Sequence, residues 1–275
     1  MSYCFRVFLL YWRNNNTKIY ILLEITFLGT GTSQGVPVIG CNCAVCRSDD
    51  PRDRRLRSSV MVKTRGRYLL IDAGPDLRQQ LLAHPFPSLD GVLITHGHKD
   101  HIGGMDDLRA YNYLQGKPLD IYATEKTLRA IRRDYHYAFG NNPYPGIPRF
   151  LLNKIGPGVF RVKGVSVEAI RVLHMRMQVM AFRIGDFTYI TDCNGIPSRS
   201  MNSIRGSRIL VINALRREKH VSHFNLAGAL EVIRELQPEQ AFITHISHMM
   251  GTHAETLKML PKGVFPAYDG LTLML

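Results

Sequence analysis

No apolar run in this chain approaches the roughly 20 residues of a membrane span, so no transmembrane helix is expected. Cysteine is scarce and badly placed for a disulfide framework: the five lie at 4, 41, 43, 46 and 193, an odd number with three inside six residues. That spacing suits a thiolate metal site instead. Acidic residues are in deficit, 22 against 35 Lys and Arg, and the net charge of +13 favours anionic partners such as phosphate esters, nucleic acid or an acidic protein. The arginine runs at 52, 54, 55 and 57 and at 129, 132 and 133 lack the interleaved aromatics of a single-strand binding groove. The glycine-rich stretch Gly29–Pro37 lacks the Gly-Lys-Ser/Thr of a phosphate-binding loop and the spacing of a dinucleotide fingerprint, and reads as a tight loop. No internal repeat or low-complexity linker divides the chain, so residues 23–275 read as one domain.

What is present is a chain of 275 residues, 45% of them apolar, enough for a large core. Residues 1–22 read as an N-terminal extension. Its apolar stretch Phe5–Trp12 is interrupted and no small-residue cleavage site follows, so it makes a poor signal peptide and a cytoplasmic protein is expected. Short strands are predicted over 24–28, 59–64 and 68–72, then a helix over 75–83 with Leu77, Leu81 and Leu82 on one side, then a strand over 91–95. A second batch follows, with strands over 165–173, 179–184, 187–191 and 208–213. Asn225 caps a helix with Leu226, Leu230, Ile233 and Leu236 inward, Pro238 stops it, and a final strand covers 241–244. Two batches of strands, each followed by helices, predict two sheets packed face to face with helices outside, not a doubly wound parallel sheet. The stretch 129–150, with Tyr135, Tyr137, Phe139 and Tyr144 among Gly and Pro turns, reads as an aromatic lid over a small site.

The chemistry is concentrated where strands end. Directly after Gly91–Thr95 comes His96-Gly97-His98-Lys99-Asp100-His101, three imidazoles and a carboxylate within six residues. Such a cluster at a strand end can hold divalent metal with positions left open for water. His174, Asp192 and His245 each close a later apolar segment. Taken singly, each has a bland reading as a packed or exposed polar residue. Imidazole and carboxylate suit Zn, Mn or Fe, and a carboxylate with two oxygens is a natural bridge between ions about 3.5–4 Å apart. Asp72, before Ala73-Gly74, is either a turn residue or an acceptor for a ligand's ring N–H. Cys41-Asn42-Cys43-Ala44-Val45-Cys46 offers three thiolates, and His248, three residues after His245, is the candidate fourth ligand of a tetrahedral zinc. Cys193 reads as a small packed residue. His223 lies just before the helix capped by Asn225, where backbone N–H groups favour an anion.

The motif His96-x-His98-x-Asp100-His101, the later His174, Thr191-Asp192 and Thr244-His245 resemble, in that order over most of residues 25–270, the metallo-β-lactamase superfamily. The resemblance implies an α/β (α+β) fold, the four-layer αββα sandwich, with the metal site at the open edge between the sheets. It implies that His96, His98 and His174 hold one divalent ion, Zn or Mn, that Asp100, His101 and His245 hold the other, and that Asp192 bridges them with Asp72 behind. The set Cys41, Cys43, Cys46 and His248 resembles the PhnP-like cyclic-phosphate phosphodiesterases, which implies a third, structural zinc. In that subgroup and in tRNA 3′-processing enzymes, the His matching His223 is a general acid toward the leaving oxygen or a clamp on the phosphate.

The implied activity is that of a metal-dependent phosphodiesterase, with His223 and Asp100 as its catalytic residues. A hydroxide held between the two metals would attack a small, anionic and in some cases cyclic phosphodiester, and a homodimer is implied. Two enzymatic alternatives stand beside it. A tRNA 3′-processing endonuclease would exploit the positive charge, but the chain has no clear Gly- and base-rich arm for tRNA. A hydrolase of an amide or thioester is disfavoured by His223 and the Cys3His set. A metal-holding scaffold without turnover would need a broken ligand set.

Overall fold

The strand segments carry apolar residues in unbroken runs, Val60-Met61-Val62, Leu69-Leu70-Ile71 and Ile209-Leu210-Val211-Ile212 among them, as strands buried on both faces do. The computed structural model, which describes residues 23–140 and 146–275, shows where the two faces go. Strands β1 (Leu23–Gly29), β2 (Ser59–Thr64), β3 (Arg67–Ile71), β4 (Gly91–Leu93), β5 (Leu119–Ala123) and β6 (Phe150–Lys154) form one sheet. Strands β7 (Gly158–Val162), β8 (Val165–His174), β9 (Met177–Ile184), β10 (Phe187–Tyr189), β11 (Ile209–Asn213), β12 (Gln240–Thr244) and β13 (Val264–Pro266) form the second. The last strand, β14 (Thr272–Met274), crosses back to pair with β1 and completes the first sheet. Both sheets are mixed: β3 to β6 run parallel, as do β10 to β13.

Because side chains alternate along a strand, each run divides between two cores. Val60, Val62, Leu69 and Ile71 of the first sheet meet Val167, Phe182, Phe187, Val211 and Phe242 of the second in a central cluster between the sheets. The alternate residues Met61, Leu70, Val92 and Ile121 face outward onto helices α1 (Leu77–Ala83), α2 (Lys99–Ile102), α3 (Arg109–Gln115) and α4 (Glu125–Asp134). On the other side Leu210, Ile212, Ala241 and Ile243 face α5 (Ser198–Ile204) and α6 (Leu226–Leu236). A seventh helix, α7 (His253–Met259), starts in a capping box of Thr252 and Glu255. The result is the expected αββα sandwich. Among the described residues no helix is long and apolar enough to cross a membrane.

Helix α6 starts as its sequence requires, Asn225 accepting the Gly228 N–H at 3.1 Å, and ends at Gln237 in the left-handed conformation (φ 50°) ahead of Pro238. Two expectations need correction. Leu82 is exposed, because α1 begins only at Leu77, after Asp76, and its buried arc takes Leu77 and Gln80. The stretch 129–150 is not an aromatic lid where it is described. Arg129–Asp134 completes α4, Tyr135 is buried with its hydroxyl donating to Ile102 O at 2.6 Å, and Phe139 packs on Phe150. These rings close the outer core of the first sheet. Tyr144, Cys4 and the extension 1–22 lie outside the described residues.

Candidate metal centre

Seven side chains converge at one end of the two sheets, each from the residues after a strand or from a strand's last residue. His96, His98, Asp100 and His101 follow β4, His174 ends β8, Asp192 follows β10 and His245 follows β12. Asp72, Asp192 and His245 have positive φ, at 63°, 49° and 55°. L-residues avoid that region, and its cost persists where the surroundings over-determine it. Gly74 is required for a related reason, since a Cβ there would lie 2.2 Å from the Asp100 carbonyl oxygen. The chain after Asp72 therefore passes directly against the histidine loop.

Asp192 lies at the middle. Its Oδ1 is 3.3 Å from His101 Nε2 and 3.2 Å from His245 Nδ1, while its Oδ2 is 3.7 Å from His96 Nε2. Donor atoms of Asp100, His101, Asp192 and His245 all lie within 4.8 Å of one another, and so do those of His96, His98 and Asp192. A third group joins His174, Asp192 and His223. His174 keeps its ring 5.4 Å from that of His98, and the His223 ring stacks on His245 at 5.0 Å.

His96 and His101 are held on the nitrogen away from Asp192, and His245 on the Nδ1 that also faces Asp192. His101 Nδ1–H donates to Asp72 Oδ2 at 2.7 Å. Thr95 donates to Asp72 through both its N–H (2.8 Å) and its hydroxyl (2.9 Å), and that hydroxyl oxygen accepts from His96 Nδ1 at 3.0 Å. His174 Nδ1–H donates to the Ser222 carbonyl at 2.7 Å. Ser58 Oγ gives its hydrogen to Gly31 O at 2.9 Å and lies 3.1 Å from His245 Nδ1. Asp72 was legible as one of two alternatives, and in the structure it accepts the His101 ring N–H. Thr95 and the Ser222 carbonyl were not foreseen. A backbone carbonyl carries no sequence signal, and Thr95 differs from any strand-end threonine only through what it meets.

The electrostatics fit a cation. His96 Nε2 and His101 Nε2 are buried with no hydrogen-bond partner, an expensive state unless an ion takes the lone pair. Burial holds His96, His98 and His245 below the usual imidazole range, which keeps them neutral and able to ligate. Asp192 is buried, which opposes ionisation, but His245 and His101 hold it well below the usual carboxylate range. His101 is raised well above its ordinary value: burial opposes this, and Asp192, Asp72 and Asp100 outweigh it. Those carboxylates call for positive charge at this point, and a divalent ion would meet that need. His223 is pushed down to about 3, by burial first and then by His245.

The cysteine loop makes a second centre. His248 Nδ1 lies 3.3 Å from Cys41 Sγ and 3.4 Å from Cys43 Sγ, and Cys46 completes a group of four donors within 4.8 Å. Tetrahedral zinc with bonds of about 2.3 Å to sulfur and 2.0–2.1 Å to nitrogen sets an S···N separation of roughly 3.6 Å, so the donor set fits such an ion. The Cys46 N–H points at Cys43 Sγ (3.5 Å), and that bond, then His248, lowers the Cys43 thiol to about 6. Burial raises Cys46 to about 11. Cys193 is fully buried in the outer core of the second sheet, pushed up to about 12 by that burial, as a packed residue should be.

The geometry has counterparts. Residues 67–246 match the family model for the beta-lactamase superfamily domain. The chain is 38% identical to a diphosphatase from the PhnP family seen in a crystal structure, with a TM-score of 0.87 over 92% of this chain and 97% of that one. Zn(2+)-bound PqqB from Methylobacterium extorquens, 22% identical, shares the fold with a TM-score of 0.74 over 92% of this chain and 100% of that one. An octanoyltransferase from Porphyromonas gingivalis is 40% identical over 252 residues, which is 90% of this chain but 51% of that protein, so the chain spans about half its length. With two facing sheets, a converging His/Asp set and these relatives, the chain belongs to the metallo-β-lactamase superfamily of metal-dependent hydrolases, alongside the PhnP-like enzymes.

Proposed function

We propose that the protein is a metal-dependent phosphodiesterase acting on a small anionic phosphodiester. The observation that carries this is Asp192, whose two oxygens face different histidine groups as a carboxylate shared by two ions would. In this reading His96, His98 and His174 hold one ion, and Asp100, His101 and His245 the other. Cys41, Cys43, Cys46 and His248 hold a structural zinc. When bound, the active-site pair supplies Lewis acidity toward the phosphoryl oxygens and acidifies water at the site. The 38% identity to a PhnP-family diphosphatase supports phosphorus as the reacting centre. Octanoyl transfer is not carried over, because the chain spans only 51% of the protein that bears that name.

The chain's own residues do the rest. Thr95, Asp72 and the Ser222 carbonyl fix which ring nitrogen His96, His101 and His174 turn to the site. His223 reaches the same space as His174 and Asp192, and it acts there as the general acid at the leaving oxygen. Its basicity is low in the free protein, and a bound phosphodiester anion favours the protonated ring. The fold's positive balance, +13, draws such an anion in.

Turnover of bis-p-nitrophenyl phosphate, a cyclic ribose phosphate and precursor tRNA, each with Mn or Zn, tests the proposal. The small diesters are expected to be cleaved, and His223→Ala is expected to lower kcat about 10²–10⁴-fold with metal content unchanged. Selective cleavage of precursor tRNA would replace the small-substrate reading, and full activity in His223→Ala would remove the acid role.

A further inference from the structure

Three backbone segments meet beside His174 and His223, and one side chain ties them together. Asn194, two residues after Asp192, accepts the Met175 N–H on Oδ1 at 2.7 Å and donates from Nδ2 to the Val221 carbonyl at 2.8 Å. Its own N–H donates to Leu173 O at 2.9 Å. With His174 Nδ1–H on Ser222 O, the β8–β9 turn, the loop after β10 and the loop before α6 form one braced rim. On that rim two large apolar side chains face water, Met175 at 57% and Val221 at 75% exposure. Neither belongs to any of the three cores.

Met175 is the first residue of a two-residue hairpin turn and has φ 57°. Turns of that kind favour Gly, Asn or Asp there. A long apolar side chain at such a position is a local cost without a packing return, and Asn194 holds the backbone in place against it. Cost of this sort, braced from outside and next to a reactive centre, points to function. Val221 lies two residues before His223 and Met175 directly follows His174, and Asn194 ties the two backbones together beside those neighbouring rings.

Resting on the phosphodiesterase reading, we propose that Met175 and Val221 form an apolar lip that receives an aromatic or heteroaromatic group carried by the departing oxygen. Asn194 is its positioning residue. The thioether packs well at a ring edge, and the branched Val221 offers a stiff apolar surface. A small alkyl group would leave both side chains in water.

The test uses metal-replete protein and measures inhibition of bis-p-nitrophenyl phosphate cleavage by phenyl phosphate, methyl phosphate and inorganic phosphate. Wild type is expected to bind phenyl phosphate about tenfold more tightly than methyl phosphate, about 1.4 kcal/mol. The double variant Met175→Asn, Val221→Ser is expected to bind the two equally, with metal content and inhibition by inorganic phosphate as in wild type. Asn suits a left-handed φ, so the variant does not depend on a strained fold. Asn194→Ala is expected to raise KM for the aryl diester about threefold to tenfold while kcat stays within about twofold, as loss of uniform binding would. An equal phenyl preference in the double variant, or none in wild type, overturns the lip and leaves the phosphodiesterase reading standing. Failure of metal-replete wild type to cleave the diester at all overturns the phosphodiesterase reading and the lip with it.

Discussion

Asp72 acts on two candidate ligands at once. It is fully buried, accepts from His101 Nδ1–H, and accepts the Thr95 hydroxyl whose oxygen in turn takes the His96 Nδ1–H. Burial pushes its carboxyl up, against the pull of His101 and Thr95. Asp72→Asn keeps the shape but places an N–H₂ group where an acceptor is needed, so one of the two rings loses its fixed tautomer. Affinity for the active-site metals is expected to fall about 10–100-fold, measured by competition with a chromophoric chelator, with the cysteine site unaffected. Unchanged affinity would reduce Asp72 to a turn residue, the other reading its sequence allowed. Single residues were legible where their chemistry is dense, as in His96 to His101. They were not legible where the role belongs to a contact across the fold, as with Ser58 and His245, 187 positions apart.

At the scale of elements, strands were readable because both faces are buried and the runs are continuous, and so was α1, whereas the other helices packed under the first sheet were not. Helix α4 has a proper start, Thr124 accepting the Thr127 N–H, yet its charged face and the aromatic stretch after it suggested a lid. The rings turned inward because an outer sheet face needed covering. The connection from Thr30 to Ser58 poses the opposite problem: it holds only one 3-10 turn, Pro51–Asp53, and a segment so irregular needs pins. One is buried Arg55, which donates to Thr30 Oγ1 and Ala267 O, beside Asp269, which accepts from Thr30 and Leu56. The other is the cysteine group on His248. Cys43→Ser is expected to lose one metal equivalent by elemental analysis and to lower Tm by about 5–10 °C, a cost of roughly 2–3 kcal/mol. The effect stays partial because the Arg55 pin remains. A variant with full metal content and wild-type Tm would leave the four groups as a hydrogen-bonded cluster and nothing more.

Across the whole molecule, the seven converging groups come from both sheets: four follow β4 in the first, and His174, Asp192 and His245 come from the second. Neither sheet alone presents a complete set, so ion binding requires the central core to be closed and its free energy adds to folding. A ligand present at about 1,000 times its Kd contributes about 4 kcal/mol, which at this chain length corresponds to roughly 10 °C in Tm. The proposed structural zinc would blur this measurement, so chelation is best done on Cys43→Ser protein, where the proposed active-site pair would be the remaining metal. Removing it is expected to shift a single unfolding transition downward by that amount, because both sheets share one core. Adding back Mn or Zn is expected to restore it. A Tm indifferent to chelation would mean that the ligands do not grip ions across the sheets, and the shared position of Asp192 would lose its meaning. A split into two transitions, one of them indifferent to metal, would mean that the sheets melt separately and that only one of them carries the site.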